Sequence, residues 1–394
     1  MKKKIVFIYH SMIIGGSTTA LLSLMSNMDP QKYDIDLQLF RNRGPLLDII
    51  PSYVNLLPEA ERYIGMKGRL VKLCKFFFKG YFLRFLWKKF RGKNEKSVLS
   101  LFQSKELSKK NVKNYDYAVG FLEGWSDWYL AFGILATKKY AWLHSTYANI
   151  TKEPTSELPW MQRVDKIVFV ADSCREAFEQ SLPQMVKKSI TIENITDSRI
   201  IKQRSLQIDD NDLDYQRFVS TDGLKIITVC RLTVHVKGLD RIVNCSKLLK
   251  ESGCRFYWYI VGDGEDKDYL QALIETAGVY DCVVLVGKRM NPYPFIAAAD
   301  LMCMPSRYEG KPITITESMI LGTPPIVTEY LSAHDQINHG KEGIIVPNED
   351  NAIVDAISRL IQDTSLCGNM KKRLLSSEYG NTEYISKIEK ILFD

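Results

Sequence analysis

The sequence predicts an α/β protein made of two Rossmann-like β/α/β domains facing each other across a cleft. Three observations carry that prediction. The chain of 394 residues is too long for one ordinary core, so two domains are the natural expectation. Short apolar runs bounded by turn residues alternate with helical periodicity along it, the pattern of parallel β/α units. A polar, aperiodic stretch at residues 199–222 separates two such series and reads as the interdomain connection.

Each element follows in order. Met1 and three lysines precede a five-residue apolar run at 5–9. A signal peptide needs an apolar core of about 7–15 residues. The run is therefore a buried first strand entering a turn at Gly15 and Gly16. Further strands are expected at 34–40, 115–121, 139–143, 166–170 and 190–193, with helices at 17–28, 123–136 and 172–181. The second series places strands at 225–230, 256–261, 283–286, 301–305 and 325–328. Its helices are expected near 238–251, 265–277, 292–299, 312–321 and 350–362. Residues 380–394 read as one more amphipathic helix, available to pack back on the first domain. The domains are thus 1–200 and 223–379.

Composition narrows the class. Hydrophobic content of 45% and charged content of 25% are those of a soluble globular protein. No run of about 18 apolar residues is present, so no transmembrane helix is expected. Eight cysteines form no C-x-x-C pair and no metal-ligand spacing, which fits a reducing cytoplasm without structural zinc. The net charge of +7 is uneven: residues 66–96 hold eleven Lys/Arg and one acid, +10, leaving 7 − 10 = −3 for the rest. A nucleic-acid binder spreads basic charge through its folded domains, and none is expected as a partner. Within residues 66–91, Leu70, Leu73, Cys74, Phe77 and Tyr81 recur at helical spacing with lysines and arginines opposite. Such a basic, aromatic-rich helix suits a membrane interface. The alternative is a helix packed on its own domain with a solvated basic face.

The chemistry-bearing residues are densest in the second series. Arg231 ends the strand at 225–230, and Lys237-Gly238 opens the next helix. Ligands of open α/β sheets sit beyond the carboxyl ends of the strands, so both cations can meet an anion there. Arg offers a planar fork and Lys a point charge, a pair suited to a diphosphate. Taken alone they read as two surface cations. After the strand at 301–305, Glu309, Gly310, Lys311, Pro312, Ile313 and Thr314 lead into a helix, with Pro312 suited to its first position and Gly322 stopping it. The free N–H groups of that helix N-terminus favour phosphate. Glu309 before the helix and Glu317 inside it are then left to accept from sugar hydroxyls.

These residues resemble the family 4 retaining glycosyltransferases, which have the GT-B fold. The resemblance rests on R-x5-K-G after a strand, V-G-D-G-E at 261–265, E-x7-E at Glu309 and Glu317, and His339-Gly340-Lys341-Glu342-Gly343-Ile344-Ile345-Val346-Pro347. Gly15-Gly16, His144, and Asn194 before Asp197 also match family positions. The resemblance implies a nucleotide-sugar donor, UDP-linked by expectation, and no cofactor. It implies that Arg231 and Lys237 neutralise the donor diphosphate and that Glu317 holds the ribose. Glu309 would bind the donor sugar together with backbone N–H groups after Gly310. Gly15 and Gly16 would admit the phosphates, His144 would contact the sugar near the reacting carbon, and Gly262 and Arg289 would border the donor. Lys311-Pro312 departs from the family's aromatic and small residue, and Asn194-Ile195-Thr196-Asp197 from its Asn-Gly-hydrophobic-Asp; both bear on sugar identity.

The expected function is retaining, metal-independent transfer of a hexosyl group to a cell-surface glycan, such as a capsular or other envelope polysaccharide, or to a lipid-linked acceptor. The protein would be cytoplasmic and peripheral on the inner membrane face. The D-x-D pairs at Asp34/Asp36, Asp212/Asp214 and Asp266/Asp268 lie at a strand start, in the connection and on a helix turn, and read as structural rather than metal-binding. His10 reads as structural. Two other readings are an inactive homologue serving as a partner or chaperone subunit, and a GT-B sugar epimerase. Retention of Arg231, Lys237, Glu309 and Glu317 together weighs against decay.

Overall fold

The computed structural model describes residues 1–60, 113–151 and 153–393. The basic segment 66–91 singled out above lies outside the described residues. The chain divides into two compact units, Met1–Asn194 with Glu383–Asp394, and Ile195–Thr382.

Unit 1 carries a seven-stranded parallel sheet in the order β3-β2-β1-β4-β5-β6-β7. Its strands are β1 (Lys3–Tyr9), β2 (Tyr33–Leu39), β3 (Val54–Leu56), β4 (Asn114–Gly120), β5 (Leu135–Leu143), β6 (Lys166–Phe169) and β7 (Ser189–Thr191). The apolar run at 5–9 forms β1, an interior strand between β2 and β4, and is wholly buried. A strand covered on both faces must be apolar at consecutive positions, which is why it reads as a run and not an alternation. Helices Gly16–Asn27, Trp125–Gly133 and Asp172–Ser181 make the crossovers. The last helix, Tyr384–Leu392, belongs to unit 1. Tyr140 donates to the Leu392 carbonyl there, and Tyr117 and Lys3 donate to that of Phe393.

Unit 2 carries a six-stranded parallel sheet, β10-β9-β8-β11-β12-β13. The strands are β8 (Leu224–Val229), β9 (Phe256–Val261), β10 (Val283–Gly287), β11 (Leu301–Met304), β12 (Pro325–Thr328) and β13 (Ile344–Val346). Alternate residues feed two separate cores. Ile226, Trp258, Ile260, Leu301 and Cys303 pack on one face, and Ile227, Tyr259, Val261, Met302 and Met304 on the other. That division is the two-residue side-chain period of a strand. The seven described cysteines form no disulfide with one another, and burial pushes Cys230 up to about 12.

The connection expected at 199–222 is instead two helices, Ser198–Ser205 and Leu213–Ser220, and both belong to unit 2. Asp197 and Asp212 cap them by accepting from backbone N–H groups. Ile201 and Phe218 insert into the unit 2 core. One buried apolar residue per helix is too little to produce a readable period, so the stretch looks irregular in sequence.

Candidate functional site

In unit 2 the chain runs from β8 to β9 and β10 on one side, then returns to β11 on the other. The β8/β11 boundary is therefore the topological switch point, where open α/β sheets leave a crevice at their carboxyl edge. Arg231 and Lys237 follow β8, and Glu309 follows β11. Gly238 makes the approach between the two loops possible. Its φ of +64° is left-handed, and a Cβ there would lie 2.0 Å from the Pro305 carbonyl oxygen.

That approach joins Lys237 to Glu309. The Lys237 Nζ donates to Glu309 Oε1 at 2.7 Å and Oε2 at 2.9 Å, and Ser306 Oγ donates to Oε1 at 2.7 Å. Burial opposes the Lys237 charge, but the adjoining Glu309 carboxylate overrides it and raises the ammonium's pKa. Arg231 differs. Its side chain is 60% exposed, and its contact is a loose one to Glu265 at 3.7 Å. One cation is thus locked into a buried pair, while the other reaches toward solvent.

The loop after Glu309 is held from outside. Ser332 Oγ donates to the Gly310 carbonyl, and Gln336 Nε2 donates to Pro312 O and to Thr316 Oγ1, each at 2.9 Å. Pro312 is the N-cap of helix Ile313–Ile320, one position earlier than the sequence placed it. Lys311, Ile313 and Thr314 therefore flank a helix N-terminus, where first-turn N–H groups and the helix dipole suit an anion. Glu317, farther along that helix, is buried, and Tyr293 donates to its Oε1 at 2.9 Å. Burial pushes Glu317 up to about 7, with the Tyr293 phenol and the Arg204 guanidinium pulling it down. The Arg204 guanidinium sits 5.2 Å from the Tyr293 ring centroid.

The remaining unit 2 candidates have structural partners. Gly262 and Gly264 bring the β9 exit against the β8 exit, where Cβ atoms would meet the Cys230 and Leu232 carbonyl oxygens at 1.9 and 2.3 Å. Arg289 pairs with Asp212 at 2.8 Å and Asp214 at 2.6 Å, pinning the helix Leu213–Ser220 to the β10 exit. Asp266 accepts from the Val234 N–H at 2.7 Å. In unit 1, buried Asp36 accepts from Tyr115, Lys113 and Asn55. Each D-x-D pair thus has at least one carboxylate in a structural contact.

In unit 1, Gly15 and Gly16 stand where β1 passes into its helix. Gly15 has an extended backbone, φ 172°, and a Cβ there would meet nothing within 4 Å. The fold itself does not require glycine at 15. His144 lies past the end of β5, its Nδ1 3.5 Å from Asn194 Nδ2. Burial lowers its pKa to about 4, with the Glu123 carboxylate and the Phe121 carbonyl pulling upward, so the imidazole is neutral at physiological pH. Asp197, in unit 2, caps its own helix and pairs with Arg199. Sequence reasoning missed Glu123, which accepts from the His144 N–H at 3.0 Å and from the Ser145 hydroxyl. An acidic residue just past the buried strand at 115–121 was the available signal.

Comparison with known proteins bears on this arrangement. Residues 211–374 match the family model described as glycosyl transferases group 1. The chain is 30% identical over 142 residues to the amylovoran biosynthesis glycosyltransferase AmsK of Erwinia amylovora, covering 34% of this chain and 35% of that protein. It is 29% identical over 177 residues to the lipopolysaccharide core biosynthesis glycosyltransferase LpsE of Rhizobium meliloti, covering 43% and 52%. The chain thus spans about a third to a half of the length of these curated relatives. Among solved structures, Anabaena HepE in complex with UDP superposes with a TM-score of 0.69 at 18% identity, covering 100% and 99% of the two chains. WaaG, a glycosyltransferase involved in lipopolysaccharide biosynthesis, gives 0.70 at 14% identity, covering 99% of each. The chain has the two-domain α/β GT-B fold.

Proposed function

We propose that the protein is a retaining, metal-independent glycosyltransferase that moves a hexosyl group from a UDP-sugar to a cell-surface glycan or lipid-linked acceptor. The observation that carries this reading is the switch point of unit 2. There an exposed arginine, a locked Lys237–Glu309 pair and a helix N-terminus converge, with the Glu317 carboxyl in the same helix. The names of AmsK and LpsE and the UDP bound to HepE support the same direction.

The chemistry follows from charge. Cleaving a glycosyl–diphosphate bond builds positive charge on the sugar and negative charge on the departing phosphate. Fixed cations aimed at the phosphate lower the barrier because the charge they meet grows toward the transition state. Arg231 supplies that charge with little desolvation. Lys237 keeps one remaining N–H for phosphate while orienting Glu309, a carboxylate of the kind that accepts from sugar hydroxyls. Glu317, once ionised, accepts from the ribose. Gly15 and Gly16 admit a phosphate close to the backbone, and neutral His144 serves the reacting sugar as a hydrogen-bonding group. Gly262 and Arg289 support the edge on which the donor rests. Metal independence is supported by the structural contacts of the D-x-D carboxylates.

Incubation with UDP-glucose and UDP-N-acetylglucosamine, with UDP release followed and the product's anomeric configuration read by NMR, tests the reading. An α-linked product sustains it; an inverted product or no UDP release from any UDP-sugar contradicts it. Membrane association through residues 66–91 is part of the proposal. Liposome sedimentation of a variant lacking them should lose binding, and unchanged binding would remove that element.

A further inference from the structure

We propose that Glu123 is a positioning residue for glycosyl transfer, bracing the His144–Ser145 turn from the neighbouring strand so that the imidazole is held in one orientation. The proposal rests on the reading of His144 as a site residue.

The sheet register sets up the contact. Gly120 of β4 pairs with Ala141 of β5, so Glu123 and His144 each stand three residues beyond the same rung. Side by side past the paired edge, they come within reach of each other. The carboxylate then spans the turn: the His144 N–H donates to Oε2 at 3.0 Å and the Ser145 hydroxyl donates to Oε1. Two donors from adjacent residues on two oxygens of one carboxylate fix the turn's orientation, which a single contact would not.

Glu123 is itself anchored. Gly124 has φ +97° and ψ −118°, a conformation open in practice to glycine alone, although a Cβ would meet nothing within 4 Å. The glycine is therefore required by the path of the backbone and not by crowding. Asp127, buried in the first turn of helix Trp125–Gly133, accepts from the Gly124 N–H at 2.9 Å and fixes that path. The imidazole is held on its other sides by the Phe121 ring, centroids 4.8 Å apart, and by Asn194. Glu123 favours the charged imidazole, yet His144 remains neutral because burial outweighs it. The carboxylate's contribution is therefore geometric, and no proton transfer is assigned to it.

A helper of this kind acts on the rate of the step. A misplacement of about 1 Å at a reacting group costs about a hundredfold. Release of UDP from UDP-glucose is measured for wild type, Glu123→Ala, Glu123→Gln, His144→Ala and the Glu123→Ala/His144→Ala pair, each with its melting temperature and UDP affinity. The expected result is a kcat for Glu123→Ala about ten- to a hundredfold down, with donor KM, UDP affinity and melting temperature unchanged. Glu123→Gln keeps one acceptor oxygen for the His144 N–H and recovers part of the loss. In the His144→Ala background, removing Glu123 costs less than about twofold. A further tenfold loss in that background, or a lowered melting temperature with intact kcat, overturns the proposal. Wild-type turnover in His144→Ala overturns both this proposal and the reading of His144 beneath it. If Glu123→Ala does not fold, Ser145→Ala removes one of the two contacts. A several-fold kcat loss there supports the proposal, and none contradicts it.

Discussion

The carboxyl edges of the two sheets are built alike and equipped differently. Both follow a central strand with neighbours on either side, and both end in loops shaped by glycine. The unit 2 edge is charged: Arg231 and Glu309 lie on loops, Lys237 ends the short helix Val234–Lys237, and Glu317 lies in helix Ile313–Ile320. The described part of the unit 1 edge is quieter, with Gly15 in open space and a neutral His144 braced by Glu123. In the reaction proposed above, the charge on unit 2 would stabilise a departing diphosphate, and the groups on unit 1 would orient the sugar.

The largest effect should come from breaking the charged side. Arg231→Ala is expected to lower turnover about 10²–10³-fold. Because the side chain is 60% exposed, thermal unfolding should barely change. Lys237→Ala should lose comparable activity but also stability. Removing it leaves the nearly buried Glu309 carboxylate with Ser306 in place of its cation, a cost on the order of 3 kcal/mol by denaturant unfolding. Equal stability of the two variants would erase the distinction between a free cation and a locked one.

A smaller effect concerns Glu317. Its carboxyl is raised to about 7, and in the proposed reading it is the ionised form that accepts from both ribose hydroxyls. UDP affinity should therefore rise about tenfold between pH 6 and pH 8, on the scale of one proton per site. Glu317→Gln should remove that component, which separates it from the titration of UDP itself. The linked stability has the opposite sense. The folded state binds the proton more tightly than the unfolded chain, so this group's contribution is present at low pH and is lost as pH rises through about 7.

The smallest prediction sharpens the unit 1 side. Gly15→Ala places a methyl group into open space on an extended backbone, so melting should not move. UDP affinity measured by calorimetry should fall several-fold if that space admits a phosphate. A fall in stability would instead make Gly15 a folding residue.

Much of the fold was legible because parallel strands bury both faces and so appear as runs. The strands 256–261 and 325–328 match their sequence expectations residue for residue. What escaped has physical reasons. β3 exposes most of its length, and only Val54 is buried. Helices Ser198–Ser205 and Leu213–Ser220 hold to their core by one buried apolar side chain each, while their capping aspartates carry the order. In the site, residue type and strand-end position pointed to Arg231, Lys237 and Glu309. The bond between Lys237 and Glu309, 72 residues apart, depends on Gly238 packing against Pro305, which no local pattern reports. Glu123 was missed for the same reason, since its meaning lies in the β4–β5 register.

The central claim is that the switch point of unit 2 grips a nucleoside diphosphate. It is tested most directly by thermal unfolding of the wild type and the Arg231→Ala/Glu317→Gln double variant across UDP, GDP, ADP and CDP. UDP at a hundredfold its dissociation constant should stabilise the wild type by about 2.7 kcal/mol and the double variant far less. Equal stabilisation of both proteins, or none by any diphosphate, would contradict it.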